Sequence, residues 1–169
     1  FAKYPCLVCR SMEDQHVWLV GASSGIGFEL ARKFAESGCI LSISARRANL
    51  LEEFTAAHSY TDRIHAHPLD VRDKKMIQDV YSRITLKAGP IDVLVINAGT
   101  NHKGLPFTDL SEDECTAILE TNLIGPVTLV HAVLPSMLMR RRGVIVGISS
   151  LASFRALPGC SIYGCSKVG

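Results

Sequence analysis

Short apolar runs alternate along this chain with longer stretches in which apolar residues recur every three or four positions. The runs are "HVWLV" (16–20), "CILSISA" (39–45), a short one inside "RIHAHPLDV" (63–71), "IDVLVINAG" (91–99) and "GVIVGISS" (143–150). Each is too short for a helix and apolar at successive positions, which predicts strands buried on both faces. The stretches between them predict helices. Ile26, Leu30, Ala31, Phe34 and Ala35 mark the first, ending at Gly38; Leu50, Leu51, Phe54 and Ala57 mark the second. Met76, Ile77, Val80, Tyr81 and Ile84 mark the third, and 111 to about 142 reads as two helices meeting near Asn122. A last helix is expected to open at Tyr163. Strand–helix alternation of this kind predicts an α/β fold with a doubly wound parallel sheet, Rossmann-type, with five strands present. No internal repeat or low-complexity linker divides it, so residues 12–169 read as one domain.

Composition changes this picture little. The 169 residues are 47% hydrophobic and 20% charged, as in a soluble globular protein. Eighteen Lys and Arg against 16 Asp and Glu give a net charge of +2, which predicts no polyanionic partner and no nucleic acid. The densest basic run, Arg140-Arg141-Arg142, closes an apolar helical stretch, where cations complement the helix dipole. No continuous apolar run approaches the roughly 18 residues of a membrane span, since "PVTLVHAVLPSMLM" is broken by His131, Ser136 and two prolines. No membrane partner is therefore expected. Residues 1–11 lack a signal-peptide core and are expected to lie outside the domain, as an N-terminal extension. The cysteines at 6, 9, 39, 115, 160 and 165 form no disulfide framework, and "CLVC" has no second ligand pair. They read as reduced thiols of a cytoplasmic protein. His65 and His67 alternate without acidic or thiol neighbours and read as ordinary polar residues.

Candidate chemistry sits after the strands. Gly21, Gly25 and Gly27 fall in the turn between the first strand and the first helix, where a dinucleotide pyrophosphate meets free helix N–H groups. The spacing is GxxxGxG, not GxGxxG, so plain turn chemistry is an alternative. "INAGT", Asn122, "ISSLAS" and "YGCSK" follow at the carboxyl ends of later strands or in the helices after them, the ligand-binding edge of open α/β sheets. Tyr163 and Lys167 are one helical turn apart, a spacing that also occurs in ordinary surface pairs. An isolated tyrosine is only about 0.1% ionised at neutral pH, and a neighbouring cation raises that fraction. After the second strand stand Arg46 and Arg47, where a carboxylate would bind the ribose 2′-hydroxyl of NAD. Guanidinium groups suit a 2′-phosphate; the alternative is a pair of solvated arginines opening a helix.

Taken together, GASSGIG, NAG, Asn122, the serine pair and YxxxK resemble the short-chain dehydrogenase/reductase family, from about Val17 to the last residue. The resemblance implies an oxidoreductase that moves hydride between NADP(H), with NAD(H) as second choice, and a small carbonyl or alcohol substrate. It implies Tyr163 as acid/base, Lys167 as the cation that also grips the nicotinamide ribose, and Ser150 as hydrogen-bond donor to the reacting oxygen. Ser149 competes for that last role. Asn122 would hold a water linked to Lys167, or cap a helix. Cofactor contacts are implied for Gly21, Ser23, Ser24, Gly25, Ile26, Gly27, Arg46, Arg47, Asp70, Val71, Asn97, Ala98, Gly99, Tyr163 and Lys167. Among them Asp70 would meet the adenine amino group, and Asn97 would bond backbone between neighbouring strands. The resemblance also implies a homo-oligomer at full length and a chain truncated at its C-terminus, with little activity of its own. The competing reading is a nucleotide-binding regulator or non-catalytic subunit.

Overall fold

In the computed structural model, residues 12–59, 61–102, 104–155 and 157–168 are described. The extension 1–11, with Cys6 and Cys9, lies outside the described residues. The strands are β1 (His16–Val20), β2 (Ile40–Ser44), β3 (Ile64–Ala66), β4 (Val93–Ile96) and β5 (Val144–Gly147). They form one parallel sheet in the order β3-β2-β1-β4-β5. The order reverses direction between β1 and β4, which opens a crevice at their carboxyl ends.

The helices are α1 (Gly25–Glu36), α2 (Ala48–Ala57), α3 (Lys74–Ala88), α4 (Glu112–Leu119), α5 (Gly125–Arg140) and α6 (Ser161–Val168). Side chains alternate across each strand, and two cores result. Val17, Leu19, Leu41, Ile43, Val93 and Val95 face α1 and α2. Trp18, Val20, Leu94 and Ile96 face α3 and α5 through Ile77, Val80, Leu129 and Val133. This is why the strand sequences read as continuous apolar runs.

One expectation is sharpened and one corrected. The two helices expected after Ser111 are α4 and α5, and they meet at Asn122 without a break in the helical run. A π-turn at Glu120–Ile124 joins α4 to α5, with the Gly125 N–H bonded to Glu120 O. Pro126 has no N–H to offer the carbonyl of Asn122, so the helix widens by one residue there instead of stopping. The resulting helix, Glu112–Arg140, has 29 residues and is long and apolar enough, by length and composition, to cross a membrane. Its inner face, including Leu129, Val133 and Met137, is packed into the core. Secondly, α6 begins at Ser161, two residues before the tyrosine expected to open it.

The basic run has a specific place. Arg140 bonds the Asp92 carboxylate at 2.9 Å and the Ile91 carbonyl at 2.6 Å, and Arg142 reaches Asp92 at 3.2 Å. Arg141 closes the helix with φ of 49°. These arginines pin α5 to the amino edge of β4, opposite the crevice.

Candidate active site

The glycine turn is set by close approach. Gly21 has φ of 96°, and a Cβ there would lie 2.5 Å from the Ala98 nitrogen. A Cβ on Gly27 would strike Gly21 O and come within 2.5 Å of Asn97 Nδ2. Asn97 in turn donates to Gly21 O at 2.8 Å, fastening the end of β4 to the turn after β1. Gly25, with φ of 58°, has open space around it.

That turn leads into an α1 N-terminus with no side-chain cap from Ser24 and no acidic residue in its first turn. The uncapped N–H groups and the positive dipole end therefore face outward, ready for an anion. A cavity of about 480 Å³ opens beside them, lined among others by Gly21, Ser23, Ser24, Arg46, Arg47, Asp70, Val71, Asn97, Ala98 and Gly99. These elements fit a dinucleotide phosphate group. Ile26 is exposed on the first turn of α1 and is not among the residues lining the cavity.

The two arginines are not equivalent. Arg47 donates to Ser23 Oγ at 2.9 Å and to Ser24 Oγ at 2.7 Å, so its guanidinium lies across the glycine turn. Arg46 is felt as a charge by Asp70, on the far wall of the same cavity. Asp70 is gripped by Arg72, whose Nη2 lies 2.8 Å from Oδ2. That hydrogen bond holds the Asp70 carboxyl below the usual carboxylate range.

The second group of residues gathers at the ends of β4 and β5. Lys167 Nζ lies 5.9 Å from the centre of the Tyr163 ring and donates to Ile148 O at 3.0 Å. It also stands 3.5 Å from where a Cβ on Gly99 would be, an ordinary contact distance, which puts the ammonium beside backbone that lines the cavity. Tyr163 is half-buried. Ser150 Oγ accepts the Ala152 N–H at 3.2 Å and opens a short 3₁₀ turn (Leu151–Ser153). Ser149 is exposed, shares a hydrogen bond with Ser153 at 2.9 Å, and lines an apolar groove with Lys167.

Asn122 is not a helix cap. It sits inside the π-turn, 7% exposed. Its Oδ1 accepts the Thr100 N–H at 2.7 Å, and its Nδ2 donates to Thr100 O at 2.8 Å and to Ser166 Oγ at 2.9 Å. The structure thus brings Asn122, Tyr163 and Lys167 to one end of the sheet, beside the cavity that holds the glycine turn and arginines.

Several residues of this site escape sequence reasoning. Thr100 and Ser166 stand inside the quoted stretches "INAGT" and "YGCSK" but draw no role from them, and Thr121 stands in none, although Thr121 lines the cavity and Ser166 is buried. Gly125 also escapes: a Cβ there would come within 2.8 Å of Val71 O. The Gly-Pro pair inside an apolar helical pattern is the one signal that could have marked the π-turn.

Comparison with known proteins agrees with this geometry. The family model for short chain dehydrogenase matches residues 15–169. Dehydrogenase/reductase SDR family member 7B of Bos taurus is 38% identical over 158 residues, covering 89% of this chain and 48% of that protein. Sulfoacetaldehyde reductase 2 of Chromohalobacter salexigens is 36% identical over 152 residues, covering 89% of this chain and 60% of that protein. The chain thus spans about half the length of the curated relatives it matches. Among solved structures, a metagenomic short-chain oxidoreductase in complex with NADP superposes with a TM-score of 0.87 at 30% identity, covering 94% of this chain and 72% of that one.

Proposed function

Because this chain belongs to the short-chain dehydrogenase family, we propose that it works as an NADP(H)-dependent oxidoreductase on a small carbonyl or alcohol substrate. The observation that carries the reading is the placement of Lys167 beside the Tyr163 ring, at the strand ends that also form the nucleotide cavity. The bound nicotinamide would supply or accept the hydride. The chain's own residues do the rest. Gly21, Gly25 and Gly27 shape the turn so that its backbone would lie close to the pyrophosphate, and the uncapped start of α1 would offer it N–H groups and a positive dipole end. Asp70 and Val71 line the same cavity and would meet the adenosine end.

Tyr163 passes a proton to or from the substrate oxygen, and Lys167, with Nζ 5.9 Å from the centre of its ring, sets a positive charge beside the reacting atoms. Ser150 orients that oxygen with its hydroxyl hydrogen, which the bond it accepts from the Ala152 N–H leaves free. A pure nucleotide binder has no use for the phenol–ammonium pair, which is what separates this reading from a non-catalytic subunit.

Nucleotide choice is assigned to Arg46 and Arg47. No carboxylate follows β2, and two guanidinium groups on the cavity wall suit a 2′-phosphate. The metagenomic relative was solved with NADP, and the Chromohalobacter relative is named for reduction of an aldehyde; both support the reading by likeness.

The test is a carbonyl panel assayed with each nucleotide, on the natural full-length protein. NADPH is expected to bind at least about tenfold tighter than NADH, a difference of about 1.4 kcal/mol. Tyr163→Phe is expected to abolish turnover while cofactor affinity stays within about threefold. Nucleotide binding without turnover on any carbonyl would leave the non-catalytic reading standing instead.

A further inference from the structure

Among the described residues of α6, Ser166 alone is buried, at 2% exposure. The most buried side chain of the helix that carries Tyr163 and Lys167 is therefore a hydroxyl and not an apolar group. Ser166 Oγ donates to Tyr163 O at 2.7 Å and accepts Asn122 Nδ2 at 2.9 Å. A serine bonded to the carbonyl one turn back is ordinary in helices. The second bond is not, because it leaves the helix and enters the π-turn between α4 and α5.

The orientation of Asn122 follows from its partners. The Thr100 N–H must face Oδ1, and the Thr100 carbonyl must face Nδ2. One Nδ2 hydrogen is then left, and Ser166 Oγ takes it. Both amide protons of a nearly buried Asn122 are thereby satisfied, and the Thr100 peptide is gripped on both sides as a strand neighbour would grip it. Thr100 directly follows Gly99, which lines the nucleotide cavity next to Lys167 Nζ. The loop after β4, the π-turn and α6 thus close into one hydrogen-bonded unit, in which Ser166 is the side chain of α6 that bonds Asn122 among the described residues.

We propose that Ser166 is a positioning residue for the reaction: acting through Asn122, it holds α6 in register with the loop after β4 so that Tyr163 and Lys167 face the nucleotide cavity. It touches neither substrate nor cofactor. The inference rests on the function proposed above. It gives Asn122 a second task, since an amide with both protons spent has only an Oδ1 lone pair left to offer a water.

The test compares Ser166→Ala, Ser166→Thr, Asn122→Ala and the double variant Ser166→Ala/Asn122→Ala in the full-length protein. Ser166→Ala should lower kcat about 10- to 100-fold, as expected of misplaced reacting groups, with KM for NADPH changed by less than about threefold. Threonine keeps the hydroxyl and should restore kcat to within about threefold of the parent, because only the link is at stake. The double variant should be no slower than Asn122→Ala alone, the two residues being members of one link. Amide exchange at Thr100 should speed up in Ser166→Ala and return to the parental rate in Ser166→Thr.

Parental kcat and parental Thr100 exchange in Ser166→Ala would overturn the proposal, as would a threonine variant as slow as alanine, or rate losses that multiply in the double variant. If Ser166→Ala does not fold, Ser166→Cys takes its place, since a thiol is a poor acceptor for Asn122 and should show the same losses. A parent without turnover on any carbonyl overturns the proposed function, and Thr100 exchange then still decides the link.

Discussion

The strands β1 and β5 carry the same kind of sequence, "HVWLV" and "VIVG", yet they stand in opposite surroundings. β1 has a strand on each side and helices on both faces, and Val17, Trp18 and Leu19 are fully buried. β5 pairs with β4 alone among the described strands, and Ile145 and Val146 remain 37% and 38% exposed. The turns that follow them differ in the same way. After β1 the chain is fixed by backbone contact, with no room for a Cβ at Gly21 or Gly27. After β5 it runs through the exposed Ser149 and the half-buried Ser150 into Leu151 and Phe154, both well exposed. The nucleotide end of the site is thus built by steric necessity at the centre of the sheet, while the Tyr163 end is held by a few hydrogen bonds at its margin. Apolar pattern decides that a segment becomes a strand; the number of neighbours decides how firmly it is held.

The largest effect that would break this contrast lies at the central turn. Gly27→Ala should destabilise the fold by about 3 kcal/mol or more, because backbone must move to admit the methyl group. Denaturant unfolding checks it, and a Gly27→Ala protein with parental stability would show that the turn yields easily.

The second test moves to the other edge of the sheet. His67, just after β3, is only 8% exposed, and its Nε2 has no partner among the described residues. Burial first, then the charges of His65, Arg83, Lys87 and His16, push its pKa from 6.5 down to about 4. The unfolded chain therefore binds more protons than the folded one between those two values. Stability should be unaffected above pH 6.5 and should fall as pH drops through the window. Burial lowers His16 and His65 as well, which acts in the same direction. Replacing His67→Leu should recover about 2 to 3 kcal/mol at pH 4.5 relative to pH 7.5. Parallel pH profiles for parent and variant would rule the histidine out as the source.

The third test separates the arginines. Arg47 is tied to both turn serines, whereas Arg46 has no such bond. Arg47→Ala should weaken NADPH binding about tenfold and NADH binding less, with Arg46→Ala costing less than Arg47→Ala. Titration with each nucleotide reads the ratio, and a larger loss from Arg46→Ala would reverse the assignment.

The smallest effect is expected at the margin. Gly147, the last residue of β5, has nothing within 4 Å of an added Cβ. Gly147→Ala should change stability by less than about 0.5 kcal/mol, a surface-like value. A loss comparable to that of Gly27→Ala would mean that the edge strand is as constrained as the centre.

The sequence by itself determined the strand and helix order, the two-sided sheet, the glycine turn and the Tyr163–Lys167 spacing, because each rests on local periodicity or on residues near in the chain. It also placed Arg46 and Arg47 after the second strand, since a strand end is legible from its apolar run. What it could not decide was which groups meet across the fold. Asn97 and Gly21 are 76 positions apart and Asn122 and Ser166 are 44 apart, and those bonds exist only once β4 lies beside β1 and α6 beside the π-turn. The same holds for Arg47 lying across Ser23 and Ser24 instead of pointing to water. That α4 and α5 run on through Asn122 without a break is not legible locally, because proline usually ends a helix. Here packing outweighed that local preference: Gly125 fits against Val71, and Leu129 and Val133 are buried on the sheet, so the chain keeps its helix and yields one wider turn.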